Sequence, residues 1–223
     1  MKFDRVLAVG DIHGYYDKLV SLMRKVRFVP HKDLLVFLGD YIDRGPDSVK
    51  CLDYVMRLQQ RFSDCVIALK GNHEALAIDS LLNGIYGYTW IRNGGFNTSK
   101  RFMAMSDKER KTRLDWMRKL PVCYRYGDFF FCHAGIQPYI PLGRQREKDL
   151  LWIRYGFFEL YDGGMGTVVV GHTPVQKLFC EYGEEAVEPQ FLENNIIMCD
   201  TGSFLDNGKI SCVDVLSRKF WQA

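Results

Sequence analysis

Short apolar runs alternate with amphipathic stretches along the first third of the chain. Val6-Leu7-Ala8-Val9, Leu34-Leu35-Val36-Phe37-Leu38 and Val66-Ile67-Ala68-Leu69 are continuous apolar segments of strand length, too short for buried helices and partly β-branched. Between the first two, Tyr15, Leu19, Leu22, Met23 and Val26 recur at helical spacing and predict a helix over about residues 15–27. After the second, Pro46-Asp47-Ser48 offers a helix start ahead of Val49, Leu52, Val55 and Met56. Buried strands alternating with amphipathic helices imply an α/β architecture. In such folds sites form at the carboxyl ends of the strands.

From about residue 75 to 120 this alternation lapses into mixed helical sequence, broken at Asn83-Gly84 and Asn93-Gly94-Gly95, which predicts a helical insertion beside the cleft. The charged run Asp107–Lys111 reads as a solvated helix face, and Trp90 and Trp116 as packing residues rather than ligand stackers. Beyond Pro121, Val122–Tyr126 and Phe129–Cys132 flank Gly127-Asp128 as a β-hairpin. Thr167–Val170, Ile196–Cys199 and Ile210–Val215 follow as further strands. With no linker, repeat or low-complexity tract, residues 1–223 are expected to form a single domain.

Composition narrows the classes. With 30 Lys+Arg against 27 Asp+Glu the formal charge is only +3, which gives no ground for nucleic-acid binding. No apolar run approaches the ~18 residues of a membrane helix, and the N-terminus has no signal-like segment, so no membrane association is expected. The seven cysteines, at 51, 65, 123, 132, 180, 199 and 212, include no C-x-x-C pair and imply mostly buried free thiols in a reducing cytoplasm.

The chemistry lies where the apolar runs stop. Gly10-Asp11-Ile12-His13-Gly14 ends the first and Gly39-Asp40-Tyr41-Ile42-Asp43-Arg44-Gly45-Pro46 the second. Lys70-Gly71-Asn72-His73-Glu74, His133-Ala134-Gly135 and Gly171-His172-Thr173-Pro174 end later ones. Of the five histidines, only His31 stands outside these blocks. Carboxylate, imidazole and amide donors without thiolate suit Mn, Fe or Zn. They outnumber the ligands of one tetrahedral ion, which implies two metals sharing a carboxylate. Arg44, in a sharp turn beside these ligands, is placed either to meet phosphoryl oxygens or to form a surface salt bridge.

These blocks, in this order from Asp11 to Gly202, resemble the phosphoprotein phosphatase family of the metallophosphoesterase superfamily, particularly its short bacterial and phage-lambda-type serine/threonine members. The resemblance implies a β-sandwich flanked by helices with a dinuclear site at the strands' carboxyl ends. Asp11 and His13 would bind one metal, Asp40 would bridge, and Asn72, His133 and His172 would bind the second; Mn is expected, with Fe, Zn, Co or Ni as alternatives. It also implies that His73 is the general acid, oriented by Asp43, and that Arg44, Asn72 and Arg154 bind the substrate phosphate. Arg154 rests on the similarity of Trp152-Ile153-Arg154 to a Trp-x-Arg segment, and Asn93-Gly94-Gly95 after Trp90 also resembles the lambda-type subgroup. Lys70 departs from the arginine many members carry before Gly-Asn-His, and Asp200-Thr201-Gly202 replaces a segment of the longer eukaryotic enzymes.

The activity so implied is metal-dependent hydrolysis of phosphomonoesters, on phosphoserine and phosphothreonine and also phosphotyrosine, by in-line attack of a metal-bound hydroxide. The substrate would be a phosphoprotein or a small phosphoester. The alternative is a symmetrical diadenosine tetraphosphate hydrolase, a type that resembles this chain in several blocks but commonly carries a small residue where Asp43 stands. A third reading, an inactive protein-binding scaffold, predicts decayed ligands, whereas this ligand set is complete. No cysteine lies in a C-x5-R loop, so a thiolate phosphatase is excluded.

Overall fold

A computed structural model describes every residue except Met1, Phe179, Tyr182 and Gly183. In chain order its elements are β1 (Arg5–Val9), α1 (Tyr16–Val26), β2 (Asp33–Phe37), α2 (Ser48–Arg61), β3 (Val66–Ala68), α3 (Asn72–Asn83), α4 (Gly87–Trp90), α5 (Phe96–Met103) and α6 (Asp107–Arg118). There follow β4 (Cys123–Tyr126), β5 (Phe129–Cys132), α7 (Glu147–Trp152), α8 (Tyr155–Leu160), β6 (Thr167–Val170), β7 (Cys180–Glu181), β8 (Glu184–Glu185), β9 (Gln190–Leu192), β10 (Ile196–Met198), β11 (Ser211–Asp214) and β12 (Lys219–Gln222).

Two mixed sheets result, ordered β12-β11-β1-β2-β3 and β4-β5-β6-β10-β9, beside the small β7-β8 pair. The site-bearing strands β1, β2 and β3 run parallel in one sheet, and β5, β6 and β10 run parallel in the other. All five residues of β2 are buried, which explains a continuous apolar run instead of alternation. Val6, Ala8, Leu34, Val36 and Leu38 meet Phe131, Val169, Ile197 and Cys199 between the sheets, so the sandwich core stands directly beneath the strand tips. Burying each of the Val, Leu, Ile and Phe side chains among these contributes roughly 1.5–3 kcal/mol.

On the outer face of the first sheet, Leu19, Leu22 and Val26 of α1 and Cys51, Leu52 and Val55 of α2 bury the stripes that their spacing predicts. Residues 75–120 are largely helical, with a turn over Ile91–Gly95, kinked at Gly94, joining α4 to α5. Ser106 and Glu109 cap α6 reciprocally, and its charged start faces solvent as expected. Cys51, Cys65, Cys132, Cys199 and Cys212 are buried free thiols and Cys123 is half-buried; the side chain of Cys180 lies outside the described residues.

Candidate metal centre

Six strands deliver their tips to one place. Asp11 follows β1, Asp40 follows β2, Asn72 opens α3 after β3, and His133, His172 and Asp200 follow β5, β6 and β10. The first two loops are tied together by backbone bonds from Ile12 and His13 N–H to Asp40 O (3.0 and 2.9 Å) and from Gly45 N–H to His13 O (2.9 Å). Their turns are tight enough to put His13, Asp40, Asp43 and Arg44, none a glycine, at φ between 48° and 74°. Each such residue costs on the order of 1 kcal/mol or more, a strain retained where surrounding contacts over-determine the geometry. Gly71 permits the closest approach: a Cβ there would lie 2.1 Å from Asp40 Oδ1.

Glu74 organises this region from behind. Its carboxylate accepts N–H bonds from Asp40, Tyr41 and Gly71, all 2.9 Å, and it is fully buried. The loop after β2 and the start of α3 are therefore held by one side chain.

The ligand atoms form two groups that share Asp40. His13 Nδ1 donates to Ile42 O (3.0 Å), leaving Nε2 to face Asp40 Oδ2 at 3.5 Å and Asp11 Oδ2 at 3.7 Å. On the other side His133 Nδ1 donates to Leu38 O (2.9 Å), leaving Nε2 2.8 Å from Asn72 Oδ1 and 3.4 Å from Asp40 Oδ2. His172 Nδ1 stands 3.1 Å from the same Asn72 oxygen. Burial holds the His13 and His172 imidazoles well below their ordinary pKa, so both are neutral donors. Burial also raises Asp11, with Asp200 adding to it.

Asp11 Oδ2 and His13 Nε2 are buried and find no hydrogen-bond donor among the described residues. Lone pairs converging in this way, in a nitrogen and oxygen donor set, fit divalent cations. Asp11, His13 and Asp40 can hold one ion; Asp40, Asn72, His133 and His172 can hold the second.

His73 stands at the edge of this cluster with a different set of partners. Its Nδ1 bonds Asp43 Oδ2 at 2.7 Å, while Nε2 lies 3.2 Å from the Arg44 guanidinium and 3.8 Å from Asp40. Arg44 makes no salt bridge among the described residues; its guanidinium lies 3.9 Å over the ring of Phe204, which also meets the ring of His13 edge-on. Arg154 donates to His172 O (3.1 Å) and Thr173 Oγ1 (2.9 Å), close enough to Arg44 for the two charges to repel. The structure thus brings together all ten residues singled out in the sequence. Lys70, at the rim, pairs with Glu147 at 3.3 Å.

Three further residues belong to the site. Asp200 is buried, with one oxygen on Gly202 N–H (2.8 Å) and the other without a donor among the described residues; burial pushes its pKa to about 6. Its signal was the apolar run before Asp200-Thr201-Gly202, which repeats the pattern of the first two blocks. Phe204 carried no such signal. Trp90 is fully buried in the core, as expected of a packing residue, and its indole N–H in addition donates to Asp43 Oδ2 at 2.7 Å.

A family model described as calcineurin-like phosphoesterase matches residues 4–209. The chain belongs to this family of metallophosphoesterases. The Salmonella typhimurium protein named serine/threonine-protein phosphatase 1 is 33% identical over 77% of this chain and 80% of its own length. The Vibrio parahaemolyticus symmetrical bis(5'-nucleosyl)-tetraphosphatase is 34% identical over 62% of this chain. This metallophosphoesterase spans only 47% of that relative's length. A solved structure provisionally described as a diadenosine tetraphosphatase shares the fold, with a TM-score of 0.71 at 22% identity over 98% of this chain and 92% of its own. The chain is a metal-binding hydrolase of the phosphatase class. Among the described residues no helix is long and apolar enough to cross a membrane.

Proposed function

We propose that this metallophosphoesterase is a serine/threonine protein phosphatase that also admits phosphotyrosine. Its residues 1–223 act as one cytoplasmic catalytic domain with residues 75–120 as its insertion. The observation that carries this reading is the line Asp43–His73–Arg44: Nδ1 of His73 is held by a carboxylate and Nε2 points to a guanidinium suited to a phosphoryl group. A phosphate gripped by Arg44 has its ester oxygen within reach of His73 Nε2.

Asp11, His13 and Asp40 hold the first divalent ion and Asp40, Asn72, His133 and His172 the second, with manganese the expected metal and iron, zinc, cobalt or nickel compatible with the donors. Such ions supply positive charge for the phosphoryl oxygens and lower the pKa of water. The chain's own groups do the rest. Arg44, Arg154 and Asn72 bind and orient the phosphoryl oxygens. As the P–O ester bond breaks, His73 gives its Nε2 proton to the leaving alkoxide, and Asp43 keeps the other proton on Nδ1 and stabilises the charged ring.

A second reading, hydrolysis of a dinucleoside tetraphosphate, draws support from the tetraphosphatase relatives. The dyad favours the monoester. A serine or threonine alkoxide is a poor leaving group that needs a proton, whereas a nucleotide leaves as a stable phosphate anion and gains less from an acid. Phosphate release from phosphoserine, phosphothreonine and phosphotyrosine peptides, set beside cleavage of diadenosine tetraphosphate by the chelated and Mn-reloaded protein, tests the choice. Faster, metal-restored turnover of the peptides is expected; preference for the dinucleotide, with nucleotide products, would replace the first reading by the second.

A further inference from the structure

We propose that Trp90 is a positioning residue for the acid step, its indole N–H fixing the Asp43 carboxylate that aims His73. The proposal rests on the reading of His73 as the general acid.

Asp43 Oδ2 accepts two bonds of equal length, 2.7 Å from His73 Nδ1 and 2.7 Å from Trp90 Nε1, while Oδ1 is buried without a donor among the described residues. The backbone N–H of Asp43 is bonded to Ser48 Oγ, which also receives the hydroxyl of Thr98 from α5. Those bonds hold the main chain; among the side-chain bonds to the carboxylate, only the indole fixes its rotation independently of His73. Without it the carboxylate is free to turn about its Cβ–Cγ bond and present either oxygen, and His73 would swing with it.

The sequence around Trp90 is shaped for this contact. Gly95 is where a Cβ would fall 2.4 Å from Trp90 Nε1, so a side chain there would push the indole off its place. Gly94 has φ of 100°, and a Cβ on it would lie 2.8 Å from Arg44 Cγ; its carbonyl accepts the Arg44 N–H at 3.0 Å. The turn from Trp90 to Gly95 therefore grips two neighbouring residues, Asp43 through a side chain and Arg44 through the backbone. The kink at Gly94, whose φ of 100° lies outside the helical region, turns its carbonyl toward Arg44 while the preceding turn holds the Trp90 indole against Asp43. Both grips come from the helical insertion rather than from the sandwich. Trp90 is fully buried, and its indole N–H bonds Asp43, which is not one of the candidate metal ligands.

An acid misplaced by a fraction of an ångström loses rate where the leaving group needs its proton and little where it does not. The test replaces Trp90 by β-(3-benzothienyl)alanine, which keeps the shape and volume of the ring and lacks the N–H donor, with Trp90→Phe alongside. Phenyl phosphate and p-nitrophenyl phosphate, alike in size and different in leaving-group basicity, are the substrates. The expected result is a kcat about tenfold lower on phenyl phosphate, a part of the ~10²–10⁴-fold a general acid supplies, with p-nitrophenyl phosphate nearly unaffected and KM unchanged on both. In a His73→Asn background the same replacement should cost nothing further, because its effect passes through His73. Equal losses on both esters, or no loss on either, would overturn the role of Trp90. Failure of the benzothienyl variant to fold would overturn it too, by showing that the bond serves the fold. His73→Asn by itself separates this from the underlying reading: if that variant lost as much on p-nitrophenyl phosphate as on phenyl phosphate, the general-acid assignment would fall, whatever Trp90 does.

Discussion

His73 and Asp200 mark the two ends of what a single residue reveals. His73→Asn should lower kcat on a phosphoserine peptide by about 10²–10⁴-fold while metal content stays at the parental level, as metal analysis alongside steady-state kinetics would show. An unchanged kcat with metal bound would remove His73 from the acid role. Asp200 faces the cluster through the field it exerts on Asp11, so Asp200→Asn should weaken divalent-metal affinity by about tenfold, read by competition with a chelating dye. Affinity equal to the parent would make Asp200 a fold residue only. The candidate ligands that the structure brings together were legible because each is a metal-type side chain at the end of an apolar run beside a glycine. Asp200 also ends an apolar run, but no glycine stands directly before it as one does before Asp11 and Asp40. Trp90 was read as packing because spacing reports which face of an element is apolar and carries no information on where an indole N–H points. Phe204, over the Arg44 guanidinium, depends on a loop conformation that no periodicity encodes.

Elements were predicted well where one face or both faces are buried. The first three strands and the helix between the first two came within a residue or two of their observed bounds, and α2 begins at the expected start, since β2 is buried throughout and α1 buries a regular stripe. The loops between them were opaque, because their shape depends on hydrogen bonds across the sequence. Glu74 illustrates this: nothing in Gly-Asn-His-Glu tells that its fourth residue reaches back to the N–H groups of Asp40 and Tyr41. Glu74→Ala would leave those two and the Gly71 N–H without their acceptor in a buried place, at roughly 1–3 kcal/mol for each group. We therefore expect Glu74→Ala to lose about 3 kcal/mol or more in urea unfolding, and a loss within about 1 kcal/mol would show that water replaces the carboxylate there. The lapse of the α/β alternation over residues 75–120 coincides with the helices α3 to α6. That Trp90 and Gly94 bond Asp43 and Arg44 could not be read from sequence, since Trp90 and Asp43 lie 47 residues apart along the chain.

Across the molecule, the site is a buried surplus of acceptors whose charge is balanced by protons when metal is absent and by metal when it is present. Burial alone would lower the pKa of His133, but Asp40 outweighs it and holds the imidazole at about 9. In the metal-free protein this proton is bound by the folded state and not by the unfolded one between the ordinary value of ~6.5 and about 9. Its contribution to stability is therefore complete below pH ~6.5 and is lost as the pH rises through about 9. Metal binding beside His133 must displace the same proton, so manganese affinity should increase over this window, with about one proton released per protein molecule from His133 at pH ~7.5. Titration calorimetry in buffers of different ionisation enthalpy measures that number, and release of none would mean that His133 is neutral before metal arrives. The central claim, that strand tips from both sheets build a two-metal centre around Asp40, is tested most directly by anomalous diffraction from manganese-loaded crystals. Two anomalous peaks are predicted, one beside Asp11 and His13 and one beside Asn72, His133 and His172, with Asp40 between them. A single peak, or peaks away from Asp40, would contradict it.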